Sequence, residues 1–185
     1  MLSIILYNIY NKKYIIYYLI KKDDIMSLEE DIQNWLLEEG MLREKKDDES
    51  ADFHFIIEFP KDNILDVVQP KGKDCIVIGC ATQVAPQHLE LMSSASDKTK
   101  REFILNTQID INKFLVDFEL SINQDLLQQY IITETIFIDG LSKNEFINSI
   151  KRVFKAKIHC VWLIEKTFGS ISPQSSPSNE NSMFV

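Results

Sequence analysis

Cysteine, glycine and histidine are scarce in this chain, and each shortage removes a class of chemistry. Three cysteines, at 75, 80 and 160, are an odd set that makes no disulfide framework. They read as reduced thiols of a cytosolic protein. Five glycines are too few and too dispersed for a phosphate cradle. Lys71-Gly72-Lys73 lacks the helix start and glycine spacing that such loops need, and reads as a plain turn. The three histidines, at 54, 88 and 159, come at no metal-ligand spacing. Cys75 and Cys80 are five apart in a strand and so lie on opposite faces. His159 and Cys160 diverge on a helix. His88, near the start of a short helix, reads as a surface residue. No cofactor and no metal is expected, and no nucleophile motif occurs.

A net charge of −8 removes non-specific attraction to nucleic acid or anionic lipid. A long uninterrupted apolar run is also missing. Leu2–Ile20 is nearly long enough to span a bilayer, but Asn8, Asn11, Lys12 and Lys13 break it. A charge at the membrane centre costs about 2.5–3.5 kcal/mol, and no signal-peptide cleavage site follows.

Residues 1–25 hold five of the six tyrosines, and 18 of these 25 residues are Ile, Tyr, Asn or Lys. All four types have A/T-rich codons, so the segment reads as a dispensable, non-native N-terminal extension. A peripheral anchor and an extra strand or helix stay open as alternatives. Residues 170–185 are rich in serine and proline and are expected to be a disordered tail. That leaves 26–169 as a single folded α+β domain.

What is present is a block pattern. Ser27-Leu28-Glu29-Glu30 is a capping box, followed by Leu28, Ile32, Trp35 and Leu36 at helical spacing and a stop at Gly40. Arg43–Ser50 is charged and reads as a solvated connector. Phe53–Phe59, Ile64–Gln69 and Cys75–Thr82 are strands joined by four-residue turns, hence an antiparallel meander. Pro70 and Gly72, placed second and fourth, fit a type I turn.

Two helices follow, one from Pro86 to about Met92 and one from Ser96 or Asp97 to about Phe114. Phe118–Ile122 and Ile131–Ile138 read as the fourth and fifth strands. A second capping box, Ser142–Glu145, starts a long helix whose apolar stripe runs from Phe146 to Trp162. The fold class is α+β: an antiparallel sheet of about five strands with helices on the face bearing Phe53, Phe55 and Ile57.

The candidate for chemistry is the other face of the first strand, where Asp52, His54 and Glu58 alternate with the apolar set. Asp66 can join them from the second strand. A histidine flanked by carboxylates can serve as a general base or hold a metal. The same residues suit any solvated strand face, and on that reading His54→Ala changes stability by less than about 0.5 kcal/mol.

Ala51-Asp52-Phe53-His54-Phe55, Val68–Asp74, Ile76-Val77-Ile78-Gly79, Ile138-Asp139-Gly140-Leu141-Ser142 and a long helix with Val161-Trp162 give a family resemblance. Together they resemble an uncharacterised archaeal family, domain of unknown function 2299, over Met26–Gly169. The element order also resembles the type III secretion chaperone and YbjN-like fold, whose members are small acidic dimers that bind partner proteins. The resemblance implies a non-enzymatic protein-interaction or chaperone-like module in the cytoplasm, a homodimer or an adaptor, with no nucleic acid partner. The alternative is an enzyme with an acid–base or metal site around His54.

Overall fold

The computed structural model describes residues 27–171. The expectations for residues 1–25 and for the tail from 172 onward lie outside the described residues. The chain divides into two compact units, the first ending at Glu39 and the second beginning at Gly40.

The first unit contributes helix α1, Leu28–Glu38. Its capping box forms as the residue types require. Ser27 N donates to Glu30 Oε2 at 2.9 Å, and Glu30 N donates to Ser27 Oγ at 3.2 Å. Ile32 and Leu36, four apart on one stripe, are buried.

The second unit holds one six-stranded antiparallel sheet in the order β1-β2-β3-β4-β6-β5. Its strands are β1 (Leu42–Lys45), β2 (Ala51–Glu58), β3 (Ile64–Pro70), β4 (Cys75–Gln83), β5 (Asp117–Asn123) and β6 (Leu126–Phe137). Helices α2 (Pro86–Ser94) and α3 (Asp97–Asn112) connect β4 to β5. Helix α4 (Lys143–Phe168) follows a 3-10 turn at Ile138–Gly140. The expected five strands fall one short because the run taken for a connector pairs with β2, Leu42 opposite Ile57 and Lys45 opposite Phe55.

Both meander turns are present, but the second is displaced by one residue. Lys73 N donates to Pro70 O at 3.0 Å, so Pro70 is first in the turn and Gly72 third. Gly72 has φ +67, the positive value that the third position of a type II turn demands, so the expected type I geometry is not the one adopted.

The core lies between the sheet and α4. Phe53, Phe55 and Ile57 of β2 are buried, as are Leu65 and Val67 of β3 and Ile76 and Ile78 of β4. Each such side chain contributes roughly 1.5–3 kcal/mol on burial. From α4 the buried stripe is Phe146, Ile150, Val153, Ala156, Cys160 and Ile164, a three-and-four spacing that keeps one face inward. Trp162, assigned to that stripe from sequence, is 58% exposed instead. Phe59 meets Phe154 edge-on at 5.9 Å, and Phe103 meets Phe168 at 4.9 Å. These contacts tie the β2–β3 turn and α3 to α4.

The start of α4 is only half of the expected box. Glu145 N donates to Ser142 Oγ at 3.2 Å, but the Glu145 carboxylate turns to Arg152, at 2.5 Å from Nη2.

Candidate functional site

The four sequence candidates separate into one pair and two isolated residues. β2 and β3 pair with His54 opposite Val68 and Ile56 opposite Asp66. His54 and Asp66 are therefore diagonal neighbours on the face turned away from Phe55. There His54 Nε2 lies 2.7 Å from Asp66 Oδ1.

The remaining two sit at the ends of β2. Asp52, at a register shift of β2, accepts the Gly72 amide at 3.1 Å and braces the β3–β4 turn. Glu58 accepts the Asp62 amide at 2.7 Å and holds the β2–β3 turn, where Asp62 has φ +68. Neither joins His54.

A third partner was not among the candidates. Asp48, in the loop between β1 and β2, places Oδ2 at 3.0 Å from His54 Nδ1. That loop is folded over β2 by local chemistry. Ser50 donates its amide at 2.9 Å and its hydroxyl at 2.6 Å to Asp48 Oδ1, the Asx-turn geometry typical of aspartate. Lys46 N donates to His54 O at 2.9 Å. Chiefly through the two Ser50 bonds, and then through His54, the Asp48 carboxyl is held down at about 2, from an ordinary 3.8.

The result corrects the expectation of a solvated face. His54 is 0% exposed and Asp66 2%. An ionised carboxylate only accepts hydrogen bonds. With Asp48 ionised, the ring must donate from Nδ1. Nε2 then either donates as imidazolium or accepts from a protonated Asp66. In both arrangements each ring nitrogen is occupied by a carboxylate and screened from water. A base needs a reachable lone pair, and this one is enclosed. What the arrangement does is pin the β1–β2 loop to β3.

A second polar cluster joins β6 to α4. The Arg152 guanidinium forks onto Glu134, with Nε at 3.0 and 3.1 Å from its two oxygens and Nη2 on Oε1. Ser149 Oγ donates to the same Glu134 Oε1 at 2.8 Å. Glu134 first, and then Glu145, push the Arg152 guanidinium's affinity for its proton further up.

The remaining candidates from sequence lie apart. Cys80 and Cys160 are buried, while Cys75 is half-buried. Burial, and then the nearby Cys80, push the Cys160 thiol up to about 12, so it is no nucleophile. His159 packs at a tilt against Phe114, with ring centroids 5.3 Å apart, and lies 3.3 Å from Asp110, away from any thiol partnership. His88 is 6% exposed, which overturns its reading as a surface residue. Among the described residues, no group of three His, Cys, Asp or Glu is placed to hold a metal. No helix among them is long and apolar enough to cross a membrane.

A family model described as an uncharacterized conserved protein, DUF2299, matches residues 28–164. A crystal structure of an uncharacterized protein from Methanothermobacter thermautotrophicus is 44% identical, with a TM-score of 0.74, covering 76% of this chain and 99% of that one. YbjN from E. coli shares 11% identity at a TM-score of 0.41, over 71% of this chain and 89% of its own. No curated protein matches. By its family match and by the 44% identity to the Methanothermobacter protein, the chain belongs to the DUF2299 family.

Proposed function

We propose that this protein is a non-enzymatic interaction module that assembles as a homodimer through the outer edge of β5. The observation that carries the reading is the pattern of that edge. β5 is the last strand of the sheet, and among the described residues it pairs only with β6. An unpaired strand edge is a template for another strand unless something blunts it.

The two edges differ. β1 has four residues, three of them charged and exposed, and an irregular register. Those are the features that discourage pairing. β5 runs seven residues, Asp117–Asn123. Its register shift against β6 skips Gln128, so the extra residue is on β6 and the free edge stays regular.

Antiparallel pairing of two β5 strands about a two-fold axis at Leu120 puts Phe118 opposite Ile122 of the second copy. In the same register Glu119 falls opposite Ser121, and Asp117 opposite Asn123. Apolar meets apolar, and no acid meets an acid. An isologous contact needs that self-complementarity.

The enclosed His54 weighs against the enzyme alternative, since both ring nitrogens are taken and the ring is 0% exposed. The test is a cross-link. In a Cys75→Ser background, Leu120→Cys puts two thiols opposite each other, at a separation a disulfide can bridge. Rapid disulfide dimer formation at Leu120→Cys, and not at Asp117→Cys, is the expected result. Equal cross-linking at both positions overturns the register, and none at either overturns the interface.

A further inference from the structure

A cleft of about 330 Å³ lies in the second unit, walled by the end of β4, the start of α2 and the last turns of α4. Its volume is at the small end of the range for ligand sites. Two atoms in its wall residues are chemically unmet. Thr82 Oγ1 and His88 Nε2 are buried and have no hydrogen-bond partner. His88 as a whole is only 6% exposed. Leaving a buried polar group unpaired is destabilising, so such atoms are rare without a cause.

The surroundings specify what would meet them. Helix α2 has Ala85 at its N-cap with no side-chain cap bond, and Pro86 in its first turn. Its amide end therefore presents partial positive charge beside the cleft. Among the described residues, Glu165 is the one charged residue of the wall, and no ion pair engages it. Of the other wall residues Gln83 is polar, while Val84, Tyr130, Val161 and Ile164 supply an apolar side. The Tyr130 hydroxyl is already engaged, donating to Lys157 O at 3.4 Å.

We propose that this cleft binds a free α-amino acid with an apolar side chain. Its carboxylate is received by the open end of α2 and by the Thr82 hydroxyl and His88 Nε2–H, two atoms that lie just under the cleft surface and turn outward to meet it. Its ammonium pairs with Glu165, and its side chain takes the apolar wall. A simple anion gains from α2 and the two donors but is repelled by Glu165. A simple amine gains from Glu165 but leaves the donors at α2 unmet. A zwitterion satisfies both ends.

The test is an NMR titration of the full chain, following the His88 ring signals. L-leucine and L-phenylalanine are compared with 3-methylbutylamine and 4-methylpentanoate, which each lack one end of leucine. Saturable shifts with an amino acid, and binding at least about tenfold weaker for both one-ended probes, are expected. Glu165→Gln, at a half-buried position, should weaken the amino acid by about tenfold or more while leaving 4-methylpentanoate unweakened. Val161→Trp should abolish binding by filling the cleft. The proposal is overturned if neither amino acid gives a saturable shift. It is also overturned if a one-ended probe binds as well as leucine, or if Glu165→Gln leaves amino acid binding unchanged.

Discussion

His54 Nε2 and Asp66 Oδ1 lie 2.7 Å apart inside the sheet face opposite the aromatic core, although each residue taken alone belongs on a solvated strand face. Removing the ring takes the 2.7 Å imidazole contact away from a carboxyl group that is 2% exposed. We expect His54→Ala to cost about 3–5 kcal/mol, the usual penalty for breaking a buried pair from one side. A double substitution, His54→Leu with Asp66→Val, should recover most of that loss, because no buried charge is then stranded. Urea unfolding of the two variants checks it. A loss below about 0.5 kcal/mol for the single variant would return His54 to the solvated face.

Asp48 makes a pH prediction with a definite sign. Its folded value of about 2 is below its ordinary 3.8. A depressed carboxyl stabilises the folded state fully above the ordinary value and loses that contribution as pH falls toward the folded one. The stability difference between wild type and Asp48→Asn should therefore be flat above about pH 5 and shrink between about pH 4 and 2. Denaturant midpoints across that window are the measurement. A difference that instead grows on acidification contradicts the assignment.

Arg152 is a clamp between α4 and β6, but its side chain is 34% exposed, so solvent screening reduces its worth. We expect Arg152→Met to cost about 1–2 kcal/mol, mostly by stranding the Glu134 carboxylate. Adding Glu134→Gln should restore part of the loss. Thermal melts of the single and double variants read this coupling directly.

Much of the fold follows from residue patterns. Alternation placed β2 and β3, the apolar run placed β4, and serine caps placed α1, α3 and α4. Where legibility failed, a local signal was absent. β1 has one apolar residue in four, Leu42-Arg43-Glu44-Lys45, so hydrophobic patterning could not distinguish it from a connector. The β5–β6 hairpin turns at Gln124 and Asp125, with φ +51 and +59. Those are type I′ positions filled without the glycine that usually announces them, so β6 starts at Leu126 rather than Ile131. His54 was legible as a chemical candidate but not as a buried one. Its cover comes from a charged loop, and a run such as Asp47-Asp48-Glu49-Ser50 reads as solvated by composition. Only the Asx turn closed by Ser50 could have hinted that Asp48 faces inward.

The central claim is self-association through β5, and the solution mass of a pair of opposed variants tests it most directly. Light scattering on the wild-type protein at tens of micromolar should report a dimer. Ser121→Glu places a carboxylate opposite Glu119 of the second copy and should weaken the dimer by roughly tenfold, from two like-charge pairs. Ser121→Lys places an ammonium there and should tighten it. Opposite shifts from one position are not produced by a change in folding stability alone. A wild-type monomer, or two variants that shift the mass in the same direction, would contradict the account.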